Sequence, residues 1–134
     1  MQINHLLWIG FGGFLGANAR YLLSAWVTAR VVTLFGLSIP YGTLLVNVLG
    51  SFLLALFGAW LMARATVPDS VRLFVATGFF GAFTTFSTYA NEAITLGRSG
   101  AWTQAVSYVL LTNGLCLLGV LAGLWIARGV FLHA

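Results

Sequence analysis

Residues Gly78–Tyr89 read GFFGAFTTFSTY, and the fold turns on how these twelve residues behave. Their surroundings are apolar enough for a membrane, yet they make poor helix. Gly78 and Gly81 are followed by Thr84, Thr85, Ser87 and Thr88, with Phe83, Phe86 and Tyr89 between them. Gly weakens a helix, and Thr and Ser hydroxyls can bond their own backbone instead of extending it. In hydrocarbon, each N–H or C=O group stranded by a break costs several kcal/mol. A break is tolerated there only where it is buried in protein or lines a cavity. The stretch is therefore the expected functional centre, with a break expected around Gly81–Thr85.

Composition sets the frame. The 134 residues are 60% hydrophobic and 6% charged, with mean hydropathy +1.00. A soluble domain carries about 25% charged residues, so an all-α membrane protein of a single domain is expected. The length allows about four spans of roughly 20 residues each. Every basic residue is Arg (20, 30, 64, 72, 98 and 128), opposed only by Asp69 and Glu92. Scattered in this way they make no nucleic-acid patch; at membrane surfaces their field favours anions. A single Cys116 excludes an intrachain disulfide or a multi-Cys metal site and reads as a small core residue. MQINHLLWIG has no basic leader region and reads as the start of the first span, not a removable signal. There is no HExxH, Walker loop or Ser/His/Asp arrangement, and His5 and His133 lie at the chain ends. Enzyme chemistry is not expected.

Along the chain, the spans fall at about 6–27, 42–62, 71–96 (broken near 81–85) and 101–127. Gly12 and Gly16 in the first span, and Gly119 and Gly123 in the fourth, have the GxxxG spacing that permits close helix contact. Thr28–Tyr41 reads as a loop ended by Pro40. In the loop before the third span, Asp69 or Ser70 is placed to cap the next helix. Gly97–Gly100 reads as a tight turn. With four spans, Arg64, Arg72 and Arg128 share one side against Arg30 and Arg98 on the other. So even a split barely orients the chain. It permits insertion in both orientations, and hence an antiparallel homodimer, as readily as a single orientation.

Polar groups within spans are the site candidates. Arg20, towards the far end of span one, either snorkels to the interface or attracts anions at a pore mouth. Asn47 either glues two helices or donates its amide to an anion or water. Tyr108, Thr112 and Asn113 either bond across helices or form a polar track. Phe79, Phe80 and Phe83 read as lipid- or core-facing. Phe86 and Tyr89 share a face of the resumed helix at i and i+3, and their positive ring edges can touch a small anion. Glu92 either bonds a Thr or Tyr hydroxyl or couples transport to protons. A proton-coupled transporter and a subunit of a larger complex are the rival readings.

On three motifs the chain resembles the CrcB/Fluc family of bacterial fluoride channels: Gly13, Gly16 and Arg20 in span one, GTLLVN at Gly42–Asn47, and GFFGAFTTFSTY. The resemblance covers nearly the whole length. It implies four transmembrane helices with the third broken at mid-membrane, in an antiparallel, dual-topology homodimer in the bacterial inner membrane. It implies two fluoride pores along the subunit interface and passive conduction that relieves fluoride toxicity. It also implies a structural, untransported sodium ion held by the carbonyls of Gly81 and Thr84. The implied pore residues are Asn47, Phe86, Tyr89, Tyr108 and Thr112, with Arg20 near the vestibule and Glu92 after the aromatic motif. Thr85, Ser87 and Asn113 are possible accessories. Tyr89 departs from the family pattern, which has phenylalanine there.

Overall fold

Nothing between Ala17 and Phe35 breaks a helix, since neither Gly nor Pro occurs there. Helix α1 accordingly spans Ile3–Phe35. This corrects the loop expected from Thr28: residues 28–35 are helical, and Arg20 lies in the middle of α1 rather than towards its end. The computed structural model describes residues 3–35 and 39–131, and every regular element among them is helical. His133 and most of the tail lie outside the described residues.

Pro40 precedes helix α2, Tyr41–Met62, where its fixed φ of −72° suits a helix entry. Helix α3, Asp69–Arg72, has Pro68 at its cap position and no side-chain cap bond. Neither Asp69 nor Ser70 caps it. The Pro68 carbonyl accepts the Val71 N–H at 3.0 Å, and Asp69 becomes the first helical residue, where its charge suits the positive helix end. The chain continues as a π-helical stretch, Leu73–Phe80, then one turn, α4, Gly81–Phe83. Thr84 (ψ 158°) and Thr85 (φ −151°, ψ 116°) are extended, and helix α5 runs Phe86–Arg98. The turn expected at Gly97–Gly100 is shorter. Gly97 is helical and only Ser99 and Gly100 turn, Gly100 with φ +86°, a left-handed value that suits Gly. Helix α6 spans Trp102–Phe131.

Among the described residues, Tyr41–Met62, Asp69–Arg98 and Trp102–Phe131 are long and apolar enough to cross a membrane. Helix α1 is not in that set; Asn4, His5, Asn18, Arg20, Ser24 and Arg30 dilute its hydropathy. Helix α1 packs on the π-helical stretch and α2 on α6. Both contacts are backbone-close at the paired glycines. A Cβ at Gly12 would collide with the Phe74 carbonyl, and one at Gly16 with that of Phe79. At Gly123 a Cβ would lie 2.6 Å from the Phe52 carbonyl oxygen. Between the helices, Val46, Phe80 and Phe83 form one buried cluster and Tyr89, Ala93 and Tyr108 another. Outward, Phe11, Phe14, Trp26, Leu117, Leu121 and Trp125 are exposed. A shell of that kind suits lipid or a second protein surface, not water.

Candidate ion-path site

The interruption at Thr84–Thr85 has local causes and a distant one. The Thr84 hydroxyl donates to the Phe80 carbonyl at 2.9 Å, and that same carbonyl accepts the Thr84 N–H at 3.1 Å. The Thr85 hydroxyl accepts the Thr88 N–H at 3.3 Å and donates to the Thr88 hydroxyl at 3.0 Å, so Thr85 caps α5. From α2, the Asn47 side chain grips the peptide groups of Thr85. Its Oδ1 accepts the Thr85 N–H at 2.8 Å and its Nδ2 donates to the Thr85 carbonyl at 3.0 Å. This clamp pairs the Thr85 N–H, which the break leaves without a helical acceptor, and adds a second bond to the Thr85 carbonyl. Approach of α2 requires Gly50, where a Cβ would run into the Thr84 methyl.

These bonds have a consequence for two carbonyls. In an unbroken helix, the Gly81 carbonyl would receive the Thr85 N–H and the Thr84 carbonyl the Thr88 N–H. Both donors are taken by side chains, Asn47 Oδ1 and Thr85 Oγ1.

Two cavities flank the interruption, and Thr85 lines both. The larger, about 690 Å³, is lined by Arg20, Ser24, Thr28, Thr43 and Thr88 among others. The Arg20 Nε is buried there with no hydrogen-bond partner. The smaller, about 270 Å³, gathers Asn47, Ser51, Phe86, Tyr89, Thr112, Asn113 and Cys116. Seven of the expected site residues thus come together: Asn47, Thr84, Thr85, Phe86, Tyr89, Thr112 and Asn113. Thr112 is 3% exposed, and its hydroxyl has no partner. The Tyr89 hydroxyl accepts from Asn113 Nδ2 at 2.7 Å. Phe86 and Tyr89 meet edge-on, ring centroids 5.6 Å apart, although Phe86 is 76% exposed and Tyr89 only 6%.

Other expected residues sit elsewhere. Tyr108, fully buried, does not line the smaller cavity; its hydroxyl donates to Glu92 Oε2 at 2.8 Å. Thr43 donates to Glu92 Oε1 at 2.9 Å, so the carboxylate ties α2, α5 and α6 together. Ser87 is exposed and lines neither cavity. Asn47 is not simply a free amide, since both its polar atoms hold Thr85; one Nδ2 hydrogen stays outside the clamp. Sequence reasoning missed Thr43, Ser51 and Cys116 as cavity residues. Cys116 lies one helical turn beyond Thr112, a spacing that could have placed it on the same face.

A multi-pass helical membrane protein, with cavities at a helix interruption whose largely apolar walls carry hydroxyls, amides and aromatic rings, is the class these features define. The chain belongs to the CrcB family: residues 7–124 match the model described as CrcB-like protein, Camphor Resistance. It is 43% identical over 130 residues to a Fluoride-specific ion channel FluC of Koribacter versatilis (strain Ellin345), covering 97% of this chain and 100% of the relative. The protein of that name from Roseiflexus sp. (strain RS-1) is 43% identical over 124 residues, covering 92% and 97%. One from Legionella pneumophila (strain Lens) is 42% identical over 132 residues, covering 98% and 96%.

Proposed function

We propose that this protein is a fluoride-selective passive channel that lowers cytoplasmic fluoride and so relieves its toxicity. The observation that carries the reading is the smaller cavity, lined together by Thr112 with its unpartnered hydroxyl, by Asn47 and by the rings of Phe86 and Tyr89. Relatives about 43% identical along nearly the whole chain bear the name of fluoride-specific channels. Fluoride holds its water strongly, so a path for it must replace that shell with hydrogen-bond donors and positive ring edges. Arg20, with its buried Nε in the larger cavity, draws the anion to the path.

The proposed assembly is an antiparallel, dual-topology homodimer in the bacterial inner membrane, with α1 as the fourth span and the interruption at mid-membrane. The exposed apolar residues of α1 and the 76% exposed Phe86 support a protein or lipid cover over both. A structural sodium ion fits the interruption. The carbonyls of Gly81 and Thr84 have lost their usual helical donors to side chains, and carbonyl oxygens suit a hard cation. Gly81 and Thr84 would hold it, and it would supply positive charge to brace the break.

The reading is tested by growth on fluoride plates of a bacterium lacking its own fluoride exporter. The wild-type gene rescues growth and Phe86→Ile does not. Failure of the wild type to rescue while the protein is present in the membrane overturns the proposal.

A further inference from the structure

We infer that the Tyr89 hydroxyl is itself a donor to the passing anion, with Asn113 the positioning residue that turns its proton into the cavity. The inference rests on the channel reading above and adds to it a specificity-determining pair. The orientation of the Asn113 amide is fixed by chemistry. One of its terminal atoms lies 2.8 Å from the Val109 carbonyl, and a carbonyl oxygen only accepts, so that atom must be the amide nitrogen. The same nitrogen lies 2.7 Å from the Tyr89 hydroxyl. Both hydrogens of the amide are thereby assigned, one to Val109 and one to Tyr89, and the tyrosine oxygen is forced to accept.

A phenol that accepts still has its own proton to place. Among the described residues that proton has no acceptor at hydrogen-bond distance, although Tyr89 is only 6% exposed. The ring is held edge-on between Phe86, 5.6 Å away, and Tyr108, 5.4 Å away. Tyr89, Asn113 and the 3% exposed Thr112, whose hydroxyl has no partner at all, line the same cavity of about 270 Å³. Two uncommitted hydroxyl protons beside one cavity, with no carboxylate among its lining residues, make a site for a small anion that accepts strongly. An anion of low hydrogen-bonding demand gains little from it. Were the amide turned the other way, the phenol proton would be spent on the asparagine oxygen and one donor lost.

The test is the fluoride dependence of flux through the purified protein in liposomes, comparing wild type, Tyr89→Phe, Asn113→Leu and the double variant. Loss of one hydrogen bond to an ion is expected to raise the half-saturating fluoride concentration roughly tenfold. Asn113→Leu, which frees the phenol proton to turn away, should raise it in wild type and add nothing in the Tyr89→Phe background. That non-additivity is the signature that a merely structural Asn113 would not give. Equal effects of Asn113→Leu in both backgrounds, or an unchanged half-saturation in Tyr89→Phe, overturn the inference and leave the channel standing. Wild-type protein that passes no fluoride overturns both.

Discussion

Replacing Asn47 by Leu removes both halves of the clamp on Thr85 and should destabilise the protein more than any other single change at the break. The substitution leaves the Thr85 N–H facing an aliphatic side chain where an amide oxygen stood at 2.8 Å. The Thr85 C=O loses its 3.0 Å bond but, as the cap carbonyl, still accepts the first bond of α5. A buried polar group left unpaired costs about 1–3 kcal/mol. Asn47 is 8% exposed while Thr85 is half-buried beside two cavities, so the stranded N–H belongs in the lower part of that range. The expected loss is about 1–2 kcal/mol. At roughly 3 °C per kcal/mol for a chain of this size, Tm falls by about 3–6 °C. Thermal melting in detergent, followed by size-exclusion chromatography, reads this directly. Asn47→Asp should do no better, because it sets a carboxylate oxygen against the Thr85 carbonyl. A Leu variant that melts within about 2 °C of wild type would refute the claim that this side chain holds the interruption.

Thr85→Ala loses the cap of α5 and should cost about 1 kcal/mol, whereas Thr85→Ser, which keeps the hydroxyl, should melt near wild type. Gly16→Ala drives a methyl group into the Phe79 backbone and should cost about 1–3 kcal/mol; Gly10→Ala, with nothing within 4 Å, should be neutral in the same melting assay. Glu92→Leu strands the Thr43 and Tyr108 hydroxyls and should lower Tm well below that of Glu92→Gln, which still offers each a partner. If Glu92 serves this junction and not proton coupling, Glu92→Gln flux will be indifferent to an imposed pH gradient; flux that needs the gradient in wild type and vanishes in the variant would restore a coupled transporter.

What the sequence could reveal depended on how local the physics was. The helical, membrane-bound class comes from composition, and close helix contact at Gly12 and Gly16 from small residues a turn apart. The gathering of Asn47, Phe86, Tyr89, Thr112 and Asn113 at one cavity was also approachable, because polar groups in apolar helices have few other places to go. Three features were not. Asn47 as a clamp required knowing that α2 brings it to a peptide 38 residues away. The π-helical stretch at Leu73–Phe80 contains no residue that demands it. The continuation of α1 to Phe35 was hidden because Arg30, read as a surface marker, also fits a long helix. The same error put Arg20 at a helix end, when its place is mid-helix beside the larger cavity.

Selective, passive fluoride conduction is probed most closely by ion release from liposomes containing the purified protein, read with a fluoride electrode and repeated with chloride. Fast fluoride release is expected with no added driving partner, and no chloride release above empty liposomes. Chloride release as fast as fluoride, or no release of either ion, would contradict the channel reading.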